Sequence, residues 1–177
     1  RDDPFSDSVT LMDVTPLSIG VEVIGGVMDT LIKRNTIIPC EKTKLYSTDT
    51  DNVESVVIKI FEGERTMTAF NYKIGEFELD KIPKQQRGMP EIEITFAIDI
   101  NGIVVVTALE KEVKERKCIT VNTNKNGLKP HQLKALIDEA IEQETLDEIN
   151  RVKKFSHFEM DDLCSNIMAN INNKEYK

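Results

Sequence analysis

Two histidines, three cysteines and thirty-one carboxylates are the side chains of this 177-residue chain that could do chemistry. His131 stands beside the proline that opens a helical stretch and His157 lies further along it; neither sits in a pattern for a nucleophile or a metal. Cys40, Cys118 and Cys164 are an odd number, widely separated, with no CxxC pair and no disulfide framework. Buried or idle thiols fit a reducing compartment. No GxxxxGK[ST] is present, and Gly25-Gly26 lacks the lysine and helix that a phosphate loop needs, so it reads as a turn. An acid/base pair among the carboxylates has no sequence signature, which leaves a hydrolase open on this ground alone.

The balance of residues narrows the classes further. The chain is 40% apolar and 31% charged, as expected of a soluble globular protein of one domain, or one domain plus an appendage. No run approaches the roughly 18 apolar residues of a membrane span, and no basic-then-apolar pattern suggests a signal peptide at the N-terminus. A net charge of −8, with no basic stripe interleaved with aromatics, disfavours a nucleic-acid partner.

The elements that must position any site fall into two kinds. Between about Leu17 and Val121 the pattern is strand-like. Leu17, Ile19, Val21 and Val23 alternate with smaller or polar residues, Val56 to Phe61 is dense in β-branched residues, and Phe77 and Leu79 alternate with acids. Ile92, Ile94, Phe96, Ile98 and Ile100 alternate most cleanly, which predicts one face in a core. Asn101-Gly102 predicts a type I′ hairpin into Ile103 to Leu109, and Cys118 to Val121 supplies a further strand. Short strands joined by Gly, Asn and Pro turns predict an antiparallel, two-layer β-sandwich. After Pro130 the spacing of Leu133, Leu136, Ile137, Ala140 and Ile141, then Leu146, Ile149, Val152 and Phe155, is helical. The polar face carries Asp138, Glu139, Glu142, Gln143 and Asp147. One amphipathic helix is expected, or two with a bend near 155–160, with the apolar stripe lying on the sandwich.

A series of motifs runs through the strand half. Residues 13–22 read DVTPLSIGVE and lead into Gly25-Gly26-Val27-Met28; LIKRNT at 31–36, Ile38-Pro39 and YST at 46–48 follow. FEGER at 61–65, RGMP at 87–90, IEITF at 92–96 and IDINGI at 98–103 complete the series. In this order and spacing the chain resembles the substrate-binding domain of the 70-kDa heat-shock (Hsp70/DnaK) chaperones, strongly over about residues 9–155 and weakly beyond. The resemblance implies an interdomain linker remnant at 1–12, a β-sandwich peptide-binding domain at 13–127 and a helical lid at 128–177. It also implies a non-enzymatic module that captures extended apolar segments of unfolded proteins, controlled by an ATPase domain not in this chain. ATP would bind that missing domain, so no cofactor, metal or catalytic residue is expected here. Client peptides, the ATPase domain and J-domain co-chaperones are the implied partners, with no membrane or nucleic acid. The match at 31–35 leans towards a cytoplasmic member, with the endoplasmic reticulum as the alternative.

By motif position the resemblance places an anchor pocket on Val21, Val23, Tyr46, Val56, Ile58 and Ile92, with Val27 and Ser47 also among the peptide-binding residues. Two side chains that arch over the peptide match Ile24 and Asp49. The family usually has an aliphatic or aromatic group at the second, so an acid there suits peptides with Lys or Arg beside the anchor. Val53 stands where the family pattern has glutamine, which makes that loop more apolar. Arg87 resembles a latch residue that pairs with a lid carboxylate, which by alignment is Asp161, with Asp162 and Glu159 as alternatives. Leu11, Asp13, Arg34 and Pro39 match positions of interdomain coupling, although Val9-Thr10 dilutes the usual leucine run. Self-association is a further expectation, one copy's helical tail entering another's groove through Ile167 or Ile171. The rival reading is a structural or adaptor domain on the same fold, with a groove too altered to cycle.

Overall fold

In a computed structural model of the chain, residues 13–122 and 130–172 are described. The expected position Leu11, the stretch 1–12 and the junction around 127 and 128 lie outside them. Eight strands precede one helix: β1 Ile19–Val23, β2 Val27–Ile32, β3 Cys40–Tyr46, β4 Ser55–Glu62, β5 Tyr72–Asp80, β6 Ile92–Ile98, β7 Ile103–Glu110, β8 Arg116–Asn122 and α1 Pro130–Asn172. They form two antiparallel four-stranded sheets, in the orders β2-β1-β4-β5 and β3-β6-β7-β8. The expected sandwich with a C-terminal helix is what the chain forms.

Period two builds the core. Ile19, Val21, Ile58, Ile60 and Leu79 from one sheet meet Ile92, Ile94, Phe96, Ile98, Val104 and Val106 from the other, all buried. The sheets also meet along their edges. At one side Lys44 Nζ and the Tyr46 hydroxyl on β3 donate to Asp29 on β2, at 2.6 and 2.7 Å. At the other, a Cβ on Gly75 would stand 3.1 Å from Val121 on β8, so β5 and β8 approach closely at that point. Gly20 is required for the same reason within one sheet, since a Cβ there would lie 2.2 Å from the Asp29 carbonyl oxygen.

Three expectations change. β6 ends at Ile98, and Ile100 is 70% exposed in the turn rather than in the core. The turn is not type I′, because only Gly102 has positive φ (74°). Asp99 Oδ1 instead accepts the N–H groups of Asn101 and Ile103, both at 2.8 Å, so a local side-chain acceptor sets the loop. The helix is continuous over 43 residues, about 65 Å, with no break near 155–160. Its apolar stripe lies on the sandwich only in its first part: Leu133, Leu136, Ile137 and Ala140 are half-buried, whereas Leu146, Ile149, Val152 and Phe155 are 45–54% exposed. Beyond that first part, polar side chains make the contact.

Candidate functional site

At the end of the sandwich where the β1–β2 and β3–β4 loops meet, the two sheets part around a cavity of about 450 Å³. Its walls come from alternate residues of three strands. Val21 and Val23 on β1, Val56 and Ile58 on β4, and Ile92 on β6 point into it because period two sends every second side chain to the inner face. Tyr46 closes one side. Its hydroxyl donates to Asp29, and burial followed by that hydrogen bond pushes its pKa far up, so the phenol stays neutral.

Nine of the eleven positions implied for peptide binding line this cavity: Val21, Val23, Ile24, Tyr46, Ser47, Asp49, Val56, Ile58 and Ile92. Val27 and Val53 do not. Val27 begins β2 and bridges to Met67, away from the opening. Val53 is half-buried just ahead of β4, so its apolar character serves the loop rather than the cavity wall. Ile24 and Asp49 both line the rim; Ile24 is 40% exposed, and the Thr50 hydroxyl donates to Asp49 Oδ1 at 3.0 Å.

Two lining residues carry polar chemistry that strand alternation did not reveal. Glu22 is bound by Lys59 at 2.7 Å and by the Thr68 hydroxyl at 2.6 Å. Burial opposes its ionisation, but these partners outweigh it and hold its pKa below the usual range. Thr48 is 93% buried (7% exposed), and its hydroxyl has no partner among the described residues. A buried hydroxyl without a partner costs free energy. The loops at this end are strapped together through the backbone: Gly88 N–H donates to the Thr48 carbonyl at 3.0 Å and Asn52 N–H to that of Gln85 at 2.8 Å. Ser47 Oγ donates to the Pro90 carbonyl at 2.6 Å.

Helix α1 runs past these loops and is tied at two points, to the segment between β4 and β5 and to the loop between β5 and β6. Near its start, Arg65 Nε and Nη2 donate to the two oxygens of Asp147 at 2.6 and 2.8 Å, and Nη1 donates to Glu139 at 2.9 Å. The guanidinium also stacks 4.5 Å from the Phe70 ring centre. Asp147 is 1% exposed, and the Arg65 hydrogen bonds hold its carboxyl below the usual range against the effect of burial. The polar-face reading had placed Asp147 in water; Arg65, in the FEGER motif, is what buries it. Between the ties, a Cβ on Gly25 would lie 3.3 Å from Lys154 Cβ, so the β1–β2 loop reaches the helix.

The second tie is a fork of Arg87 on Asp162, with Nη2 to Oδ2 at 2.7 Å and Nη1 on Oδ1. Arg87 is therefore placed against Asp162, not Asp161, whose carbonyl accepts the Ser165 hydroxyl at 2.8 Å. One residue turns a helix by about 100°, enough to take Asp161 off the facing side. The hydrogen bonds raise the Arg87 pKa and lower that of Asp162. Arg87 N–H also donates to Asp51 at 2.7 Å, which fixes the loop that carries the fork.

The positions matched to interdomain coupling gather elsewhere. The Asp13 carbonyl accepts the Ile38 N–H at 3.0 Å, Pro39 directly precedes β3, and Arg34 N–H donates to Ser18 Oγ at 3.0 Å. Arg34 Nε stands 3.8 Å from Glu64.

Residues 4–177 match the family model described as "Hsp70 protein". The chain is 42% identical over 178 aligned residues, 99% of its length, to "Heat shock protein 70 homolog" of Acanthamoeba polyphaga mimivirus. It is 40% identical over 164 residues, 93% of its length, to "Heat shock cognate 70 kDa protein 3" of Dictyostelium discoideum. It spans 19% and 26% of those two proteins respectively. The chain belongs to the Hsp70 family.

Proposed function

We propose that the chain is the peptide-capturing module of an Hsp70-type chaperone: the cavity holds one bulky apolar side chain of an extended segment, and α1 acts as its lid. One observation carries this reading. An apolar cavity opens between the sheets where the loops are strapped together, and a helix is tied across those loops by Arg65–Asp147 and Arg87–Asp162. Burying one leucine-sized side chain in such a cavity contributes roughly 1.5–3 kcal/mol. An extended backbone can then pair with main-chain groups around the cavity with little dependence on sequence.

In this reading the module is not an enzyme, and it needs no cofactor of its own. Nucleotide control would come from an ATPase domain outside this chain. The acid at Asp49 would favour clients with Lys or Arg beside the anchor.

Fluorescence anisotropy with a labelled leucine-rich heptapeptide tests the reading. Saturable micromolar binding, displaced by unrelated apolar peptides, is the expected result. Absence of binding would favour an adaptor domain on the same fold, and cleavage of the peptide would favour a hydrolase.

A further inference from the structure

Strand β4 joins two cavities. Val56 and Ile58 face the first, and Glu62, about 20 Å further along, faces a second at the opposite end of the sandwich. This lower cavity measures about 380 Å³, and Val14, Pro16, Ile19, Ile38 and Ile98 supply its apolar walls. Asp13 and Glu62 are the carboxylates that line it, and no lysine, arginine or histidine does so among the described residues.

Glu62 is 8% exposed, with neither a hydrogen-bond donor nor a cation against it among the described residues. Burial alone pushes its pKa up to about 7. Asp13 shares the cavity and Tyr72 is opposite in register on β5, and neither brings positive charge; the nearby Arg34 guanidinium is directed to Glu64 at 3.8 Å. A buried carboxylate in such a setting either takes up a proton or binds a cation. The cavity has room for a cation carried on an apolar stem.

We infer that the lower cavity is a binding site for an alkyl guanidinium or ammonium group, its stem against Val14, Ile38 and Ile98 and its head on Glu62. The same chemistry is found in a small free amine and in an arginine or lysine side chain of a docked segment. The site is separate from the peptide groove and does not depend on its function.

NMR titration of the whole chain with n-butylguanidinium, with neutral n-butylurea as control, tests the site. A saturable shift of the Glu62, Ile38 and Ile98 amides is expected with the cation and not with the urea. Affinity should rise about tenfold between pH 6 and pH 8, the change in ionised Glu62 for a pKa of about 7. Glu62→Gln should weaken binding at least tenfold while keeping a folded amide spectrum, and Asp13→Asn should weaken it less. A parallel titration with Nα-acetyl-arginine N-methylamide separates the sources: binding as tight as the free cation points to a protein side chain, weaker binding to a small amine. Equal response to the urea, no saturation with either cation, or unchanged affinity in Glu62→Gln would overturn the assignment. So would displacement of the cation by the groove heptapeptide.

Discussion

The two ties between helix and sandwich use the same chemistry, a two-pronged guanidinium–carboxylate pair, in opposite surroundings. At Arg65–Asp147 the side chains are 10% and 2% exposed; at Arg87–Asp162 they are 41% and 30% exposed. The first pair stacks on Phe70 and includes Glu139, whereas the second stands in water beside the loop it fixes. Removing one member of a buried pair strands the other without water, whereas water replaces either member of an exposed pair. If α1 is a lid, as proposed, the difference predicts unlike roles for them: a hinge anchor at the Arg65 end and a latch of small cost at the Arg87 end.

Breaking the anchor should have the largest effect. Arg65→Ala is expected to cost on the order of 2 kcal/mol of helix docking, between the values for exposed and fully buried pairs. Hydrogen exchange along α1 should report it as lost protection near residue 147. Protection equal to that of the unaltered chain would mean that Asp147 is held by other contacts. The same tie responds to pH in a known direction. The folded-state pKa of Asp147 lies below its ordinary 3.8, so the tie is fully present above that value and is lost as pH falls through the lower one. Glu62 acts in the opposite sense: its folded-state pKa of about 7 exceeds the ordinary 4.5, so its contribution to stability is lost as pH rises between them. Glu62→Gln should flatten the fall in thermal stability over that window, and an unchanged slope would assign the fall to other groups.

Breaking the latch should have a smaller effect, confined to kinetics. Arg87→Ala is expected to speed peptide release roughly two- to fivefold, as an exposed tie allows, and high salt should narrow the difference. Asp162→Ala should match it, the double variant should add nothing, and Asp161→Ala should leave release unchanged. If Asp161→Ala proves the faster of the two, the fork is misassigned.

Asp49 gives the smallest test, since it lies on the latch side of the groove, on a loop strapped to that of Arg87. Replacing it by alanine should cut the preference for Lys-flanked over Glu-flanked peptides by about two- to threefold at low salt, leaving both ties intact. An unchanged preference would remove the charge at Asp49 from client selection.

How far the sequence could be read depended on where each signal was stored. Strands β6 and β7 were legible because one face of each is buried and the other is not, and β1 and β4 because they are dense in β-branched residues. β3 was not, because at a sheet edge nearly all of Cys40–Tyr46 is exposed and its residues read as polar. Most of the groove followed from motif positions on those legible strands. Val53 did not line the groove, since a loop's path depends on contacts that spacing does not encode, and Val27, the first residue of β2, is taken up by pairing with Val23 and by its bridge to Met67.

Alternation and helical spacing by themselves determined the sandwich and the helix, because they record which face of each element leaves water. Only the tertiary structure decided which face of α1 meets the sandwich. The first part of the apolar stripe, Leu136, Ile137 and Ala140, does face it, and Arg65, 82 positions before Asp147, extends that contact to a polar position by supplying a partner for a buried carboxylate. It decided also that Glu62 faces a cavity and not solvent. Burial, which alters a carboxylate's chemistry, depends on the neighbours that the fold assembles around it.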